Sequence, residues 1–117
     1  MTDREMMEMA ARAAGYVVES HHISGGAWVR PVGEMPDADG DYPGLFLWRP
    51  REDDGDALRL AVKLEILVLA ARGFAVANST DSGEGGTVVR IALKDDPCAA
   101  TRRAIVRAAA EIGRRMK

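Results

Sequence analysis

The feature that most constrains the fold is the segment from Asp53 to Gly73, the longest periodic apolar stretch of this 117-residue chain. Its aspartates can accept hydrogen bonds from free first-turn amides and place negative charge at the positive end of a helix. Gly73 suits the left-handed residue that ends a helix. The spacing therefore predicts one long helix over the whole segment. Its main apolar side is Ala57, Leu60, Ala61, Leu64, Leu67, Val68 and Ala71.

A second apolar strip lies on the opposite side of the predicted helix, formed by Leu58, Val62, Ile66 and Leu69. A helix that is apolar on nearly all sides is usually buried on more than one of them. Large exposed apolar patches are rare on monomers, so the sequence favours cover from within the chain, by the last helix packed against this strip. The alternative is a partner molecule or a symmetric dimer, which makes these four residues the candidate partner-binding residues.

Composition excludes several classes of protein. The net charge of −2 gives no overall field that attracts nucleic acid or an anionic membrane. A single cysteine excludes an intrachain disulfide, and the acidic N-terminus lacks the regions of a signal peptide. The longest uninterrupted apolar run, Ile66 to Ala71, is too short to span a bilayer. We expect one domain over residues 1–117, located in the cytoplasm.

The first half of the chain predicts a short helix, two strands and a long loop. Thr2 and Glu5 have the spacing of a capping box, and Gly15 ends the helix. The following strands and surface loop are expected at Tyr16 to Val18, Ala27 to Arg30 and Pro31 to Gly44.

The segment from Leu45 to Trp48 consists of four large apolar residues and is followed by Arg49 and Pro50. Alternate residues of a strand face opposite sides of a sheet, so both sides of this strand need cover. We therefore predict a central strand that is buried on both faces.

A β-hairpin is predicted after the long helix, with strands at Phe74 to Ser79 and Thr87 to Leu93. The connecting loop, Thr80 to Gly86, is rich in glycine but lacks Lys and Ser/Thr at phosphate-binding spacing. This composition favours a hairpin tip over a phosphate loop. The two predicted faces of the hairpin are Val89, Ile91 and Leu93 on one side, and Ala75, Ala77, Val88, Arg90 and Ala92 on the other.

The last helix is predicted to begin at Asp96 and Pro97, since an acid suits the N-cap and proline the first helical position. Its expected buried stripe is Cys98, Thr101, Ile105, Ala108, Ala109, Ile112 and Met116. Three arginines near one face, Arg103, Arg107 and Arg114, are the candidate contacts for phosphates or an acidic partner. No aromatic residues interleave with them to stack on bases, so the sequence favours a solvated surface over nucleic-acid binding.

Two loop patterns do not predict a metal site. Asp37, Asp39 and Asp41 begin like a calcium loop, but Tyr42 and Trp48 stand where that loop requires Gly and Glu. Likewise, the adjacent histidines at positions 21 and 22 lack the further ligands that zinc needs.

Cys98, in the first turn of the last helix, has no base partner in the sequence, and we expect it to be a small buried core residue. The sequence thus indicates no catalytic residue, no metal ligand set and no cofactor.

The segment Leu47-Trp48-Arg49-Pro50 leads into the segment from Asp53 to Ala61, and the Ala/Arg-rich segment from Ala99 to Ala109 follows after a hairpin. In this order the segments resemble a family of small tailed-phage and prophage proteins, those with the phage α/β/α-sandwich domain. The resemblance covers Leu45 to Lys117. It implies a phage-encoded protein with helices on both faces of an antiparallel sheet, and it implies no reaction and no functional residues.

These patterns predict an α+β fold with three helices and one antiparallel sheet of about four strands, covered by helices on both faces as a three-layer α/β/α sandwich. We expect a phage or prophage accessory protein in the host cytoplasm. It would bind an unknown phage or host macromolecule without catalysing a reaction, as a monomer or weak homodimer. The alternative is a weak nucleic-acid-binding module that uses the basic last helix, and an enzyme would need a cleft of scattered residues that sequence spacing does not reveal.

Overall fold

The computed structural model describes residues 1–71, 73–79 and 88–116, and these residues form an α+β fold. The helices are α1 (Asp3–Ala14), α2 (Asp54–Lys63) and α3 (Pro97–Arg115). The strands are β1 (Tyr16–His21), β2 (Ala27–Pro31), β3 (Phe46–Trp48), β4 (Ile66–Ala71), β5 (Phe74–Ser79) and β6 (Val88–Ala92). They form two separate antiparallel sheets, a first sheet with the order β1-β2-β3 and a second sheet with the order β4-β5-β6. The single sheet of about four strands is therefore not confirmed.

The predicted long helix is wrong in its second half. The helix α2 ends at Lys63, Glu65 takes the left-handed conformation with a φ of 55°, and the chain continues as strand β4. Periodicity alone does not distinguish a helix from a strand in a short apolar run, and here the pairing of β4 with β5 decides for the strand. Gly73, predicted as the helix end, lies instead in the connection between β4 and β5, where its φ is 80°.

Local sequence signals do determine the ends of the other two helices. In α1, the Glu5 amide donates to Thr2 Oγ1 at 3.1 Å and the Thr2 amide donates to Glu5 Oε1 at 3.3 Å, which confirms the capping box. The hydrogen bonds with Thr2 hold the pKa of Glu5 below its ordinary value. Gly15 ends α1 with a φ of 84°, and Asp96 caps α3 by accepting from the Ala99 amide at 3.0 Å.

The helices α1 and α3 run side by side in the same direction. Arg12 Nη2 donates to the Met116 carbonyl at 2.7 Å, and one turn earlier the backbone of Met9 approaches Gly113. From Met9 to Arg12 on α1, and from Gly113 to Met116 on the other chain segment, the contact advances in the same direction along the sequence. The two helices are therefore parallel. A Cβ atom on Gly113 would lie 1.8 Å from the Met9 carbonyl oxygen, so this close approach requires glycine. Because α1 also packs on β1 and α3 packs on β4, β5 and β6, this helix pair joins the two sheets in one hydrophobic core.

The strand predicted to be central lies at an edge of the first sheet. Among the described strands, β3 pairs with β2 alone, and Leu45 and Phe46 are exposed while Trp48 is buried. The prediction is wrong because β3 has a neighbouring strand on one side only among the described strands, and Trp48 is the only buried residue of its three. The ring of Tyr16 packs edge-on against Phe46 and Trp48, with centroid distances of 5.4 and 5.6 Å.

The hairpin of β5 and β6 is confirmed, and its loop from Thr80 to Gly86 lies outside the described residues. The predicted assignment of its faces is wrong. Ala75 pairs with Ile91 and Ala77 pairs with Val89. Directly paired residues lie on the same face of a sheet, and these four face the helices. The alternation within each strand is visible in the sequence, but the register between the strands is not.

Candidate docking surface on the second sheet

The second sheet has one covered face and one exposed face. Its covered face packs on α3 through buried residues that include Ile66, Ala75 and Val89. The opposite face, called the outer face below, is formed by Leu67, Leu69, Ala71, Phe74, Val76, Asn78, Val88, Arg90 and Ala92. Its most exposed apolar side chains are Leu67, Val88 and Leu69, with exposed fractions of 67%, 64% and 58%.

Strand alternation produces this surface. Ile66 is only 7% exposed, whereas its neighbour Leu67 projects to the other side of the sheet. The cross-strand register then aligns Leu69 with Val76 and Val76 with Arg90 in one row across the three strands. In a sheet with one solvated face that face usually carries many polar residues, whereas Asn78 and Arg90 are the only polar residues on this face among the described ones.

Arg90 is the one charged residue among the described residues of β4, β5 and β6. Its guanidinium carbon lies 4.0 Å from the centroid of the Phe74 ring. A cation over an aromatic face is attracted by the ring quadrupole, and at exposed sites this contact contributes about 0.5–1 kcal/mol. The outer face therefore combines apolar area with one positive charge held in place.

A groove of about 360 Å³ lies on the other side of β4, between this strand, α2 and the start of α3. Its apolar walls include Leu58, Val68 and Ala70, and we call it the α2–β4 groove. At its rim, Arg102 Nη1 donates to Asp54 Oδ1 at 2.5 Å. This ion pair compensates the charges of Arg102 and Asp54, and the remainder of the groove is almost wholly apolar.

The structure does not bring the four candidate partner-binding residues together as one strip. Leu58 and Val62 are exposed on α2, Ile66 is buried on the covered face of β4, and Leu69 lies on the outer face. The expected cover by the last helix therefore reaches Ile66 but leaves the other three exposed. The sequence pattern does not predict most of the outer face, because β4 is apolar throughout and the face depends on the register between the strands.

The candidate arginines lie on the solvent side of α3. Arg103 and Arg107 are exposed one turn apart, and neither forms an ion pair within the described part of the chain. Arg114 Nη2 donates to Glu111 Oε2 at 2.6 Å, so its charge is partly compensated. This surface is a short basic patch with an acid at one end.

The loop residues with metal-like spacing have structural partners. Asp37 Oδ1 accepts from the amides of Asp39 and Asp41, both at 2.9 Å, which closes the loop on itself. His21 Nε2 lies 3.1 Å from Glu8 Oε1 on α1. Within residues 1–71, 73–79 and 88–116, no group of three or more His, Cys, Asp or Glu side chains is arranged to hold a metal ion.

Cys98 is exposed, which corrects the expectation that it belongs to the core. On α3, burial begins at Ala100 and continues from Ala104 to Val106. Of the other predicted members of this stripe, Ile105, Ala108, Ala109 and Ile112 are buried, whereas Thr101 is half-buried and Met116 is exposed.

A second cavity of about 360 Å³ lies between the first sheet and α2, next to Tyr16 and Trp48. The cations beside it already have partners. Lys63 Nζ lies 4.5 Å from the centroid of the Tyr16 ring, and Arg59 Nη2 donates to Asp56 Oδ1 at 2.6 Å. The hydrogen bond with Asp56 raises the pKa of Arg59, which stays charged. This cavity is therefore lined by an aromatic cluster, and the charges of the cations beside it are compensated.

Comparisons of the chain with models of protein families, with curated proteins and with solved structures gave no match. Among the described helices, none is both long and apolar enough to cross a membrane.

Proposed function

We propose that this protein acts without catalysis, by binding another protein through the outer face of its second sheet. The observation that supports this proposal is the exposure of Leu67, Leu69 and Val88 on one face of a sheet. Contiguous exposed apolar surface commonly marks an interaction site on a soluble protein. Full burial of such a side chain contributes about 1.5–3 kcal/mol, so a partner that covers the three gains a substantial part of a stable affinity.

The chemistry of the outer face also defines the kind of partner. A complementary surface is apolar at its centre and presents a carboxylate near Arg90, whose position is fixed by its contact with Phe74. Rings and apolar side chains at the centre, with one charge pair at the rim, are typical of protein–protein interfaces.

The phage assignment belongs to the same proposal. Support comes from the order of the segments that resemble the phage family: Trp48-Arg49-Pro50 leads into α2, and the hairpin of β5 and β6 leads into α3. The proposed role is that of a phage or prophage accessory protein in the host cytoplasm, with a layered sandwich of helices and sheets as its architecture. Its partner is then a phage or host protein.

The test uses Val88→Lys, which places a charge on the outer face at an exposed position. Partners captured from phage-infected bacteria are purified and their affinity for the isolated protein is measured. We expect Val88→Lys to weaken binding by about tenfold or more, or about 1.4 kcal/mol. The matched control is Val32→Lys, which adds the same charge at an equally exposed position in the loop after β2. Equal affinities for wild type and Val88→Lys, or an equal loss in the control, would contradict the proposal.

A second candidate function is weak association with nucleic acid through α3. The observation that favours it is the exposure of Arg103 and Arg107 without acidic partners among the described residues. Two or three phosphate contacts give binding that falls steeply with salt. Gel shifts at rising ionic strength are expected to show weak complexes that disappear at physiological salt and in Arg103→Gln/Arg107→Gln. A submicromolar complex at physiological salt would rank this function first.

A further inference from the structure

Strand β4 lies at an edge of the second sheet, and β5 is the only described strand that is hydrogen-bonded to it. Alternate amide and carbonyl groups of β4 therefore point away from β5. An edge with unpaired backbone groups is a template for pairing with a further strand. The six residues of β4 are Ile66, Leu67, Val68, Leu69, Ala70 and Ala71.

Proteins usually protect such an edge with a charge, a proline, a bulge, a short strand or a covering helix or loop. The strand β4 has six residues without a charge, proline or bulge, and although α2 contacts it, Ala70 and Ala71 remain exposed. All of its residues are apolar, and its register with β5 runs from Ile66 to Ala71 without a shift. The other edge of the same sheet, β6, carries Arg90. An unprotected, regular and wholly apolar edge is a pairing site.

We propose that β4 pairs antiparallel with the β4 strand of a second copy of this chain, so that two second sheets become one six-stranded sheet. A two-fold axis perpendicular to the sheet relates the two strands, which is the isologous arrangement of most homodimers. Because β4 is uncharged, self-pairing brings no like charges together. Antiparallel partners on one face stay on that face, so Leu67 and Leu69 of both copies extend the outer face across the axis.

The groove beside β4 explains why a second copy fits this edge better than an isolated peptide strand. Pairing of two edges alone buries less than the roughly 800 Å² per partner that is typical of stable interfaces. On the covered side of the sheet, however, the paired strand lies over the α2–β4 groove and faces Leu58. Val62, one turn after Leu58 on α2, is exposed on the same side of that helix. In the proposed dimer, the two-fold axis places α2 of both copies on the covered side of the joined sheet, where Leu58 and Val62 of each copy are available to cover one another.

The dimer changes the surface that the outer face offers. Two copies present one outer face of six strands, twice the area that one copy presents, and Asn78 and Arg90 of each copy are its only polar side chains among the described residues. The dimer contact is at the edge of β4, whereas Val88 lies on β6, at the far side of the sheet. The edge and the outer face are therefore separable by mutation, and failure of either proposal is recognised independently of the other.

The experiment measures mass by sedimentation velocity and light scattering over micromolar to millimolar concentrations, for wild type, Leu69→Lys and Val88→Lys. Both changes replace an exposed side chain on the outer face, one on β4 and the other on β6. We expect wild type and Val88→Lys to reach twice the 12.6 kDa of the monomer as concentration rises. We expect Leu69→Lys to stay at the monomer mass, because pairing places the new ammonium group of each copy beside the apolar residues of the partner strand.

Far-UV circular dichroism and thermal unfolding establish that each variant is folded before its mass is interpreted. A wild-type protein that stays monomeric to millimolar concentration overturns the inference. A wild-type dimer that is retained in Leu69→Lys overturns it as well. Loss of the dimer in both variants also overturns it, because this result places the contact on the outer face rather than at the edge of β4.

Discussion

The first sheet and the second sheet each have three antiparallel strands and one face packed on helices, but their edges differ. In the first sheet, β1 has a register shift between Val18 and Ser20, and the Glu19 carboxylate at this shift accepts a hydrogen bond from Arg30. The opposite edge, β3, has only three residues and is followed by an arginine and a proline. In the second sheet, β4 has six apolar residues in regular register. Only the first sheet has both edges protected against pairing.

The two sheets also differ in how far their own chain covers the face that points away from the helices. On the first sheet, the long loop after β2 folds back so that the Arg30 guanidinium lies 4.2 Å from the centroid of the Tyr42 ring. On the second sheet, the corresponding cation–ring contact, Arg90 over Phe74, is made within the sheet and leaves Leu67 and Val88 exposed. On the first sheet, a loop of the same chain thus covers part of this face, whereas the second sheet leaves large apolar side chains of its outer face exposed.

The two tryptophans of the first sheet distinguish its covered face from its other face. Trp48 is 3% exposed and Trp28 is 38% exposed. Removal of a buried tryptophan side chain costs about 3–5 kcal/mol, so we expect Trp48→Ala to lose about this much of the free energy of unfolding. Trp28→Ala, the matched control on the other face of the sheet, is expected to lose clearly less. Chemical denaturation measures both, and equal losses would show that the inner face of the first sheet does not form a core.

The contact between α1 and α3 joins the two sheets in one core. A substitution of Gly113 tests this contact. Alanine is normally the better helix residue by about 1 kcal/mol. Here its Cβ would meet the Met9 carbonyl oxygen, so we expect Gly113→Ala to destabilise the protein by about 1–3 kcal/mol.

The control for Gly113 is Gly55→Ala in α2. An added Cβ at this position meets the carboxylate of Asp53 and the movable end of Arg59, both at 3.2 Å. Denaturation midpoints should therefore fall for Gly113→Ala and stay level or rise for Gly55→Ala. A stabilised Gly113→Ala variant would mean that α1 and α3 are further apart in solution than the contact of Gly113 with Met9 requires.

The backbone is strained at the residue that precedes β4, and no described non-glycine residue beside the strands of the first sheet has a positive φ. Glu65 precedes the strand in the left-handed conformation, which costs a non-glycine residue about 1–2 kcal/mol. Glycine removes this cost but gives the unfolded chain more freedom, so we expect Glu65→Gly to gain at most about 1 kcal/mol. Glu65→Ala keeps the Cβ and should gain nothing. Urea midpoints measure the difference, and equal midpoints for the two variants would contradict a strained entry.

The smallest expected effect concerns the capping box of α1, the helix that packs on the first sheet. The folded-state pKa of Glu5 is lower than its ordinary value of 4.5. Its contribution to stability is therefore present above that value and is lost as pH falls through the lower folded pKa. Thermal unfolding of wild type and Glu5→Gln between neutral pH and about pH 3 should show a small difference that disappears in acid. A difference that grows as pH falls would contradict this sign.

Local signals allowed part of the fold to be predicted from the sequence. The Thr2–Glu5 capping box, Gly15 and Asp96-Pro97 act through neighbouring backbone groups, so α1 and the start of α3 followed from them. The error at Ile66 to Ala71 has a different origin, because that run satisfies the helical and the strand pattern alike. Only its pairing with β5, a contact between segments, decides between them.

The same limit applies to the candidate site. Leu58 and Leu69 share a helical stripe in the sequence but belong to different elements in the structure, since the chain reverses after Glu65. The outer face depends on the register of three strands, which places Leu69, Val76 and Arg90 side by side. No local pattern contains that register.

Amide hydrogen exchange resolved to single residues tests most directly the claim that β4 is a pairing edge. The amides of β4 that point away from β5 are compared in wild type and Leu69→Lys at the concentration where wild type reaches its full mass. If β4 pairs with a second copy, we expect these amides to exchange about tenfold or more slowly in wild type, while those of β1 and β6 exchange at the same rate in both proteins. Equal rates for the β4 amides in both proteins, or protection at β6 instead, would contradict this pairing.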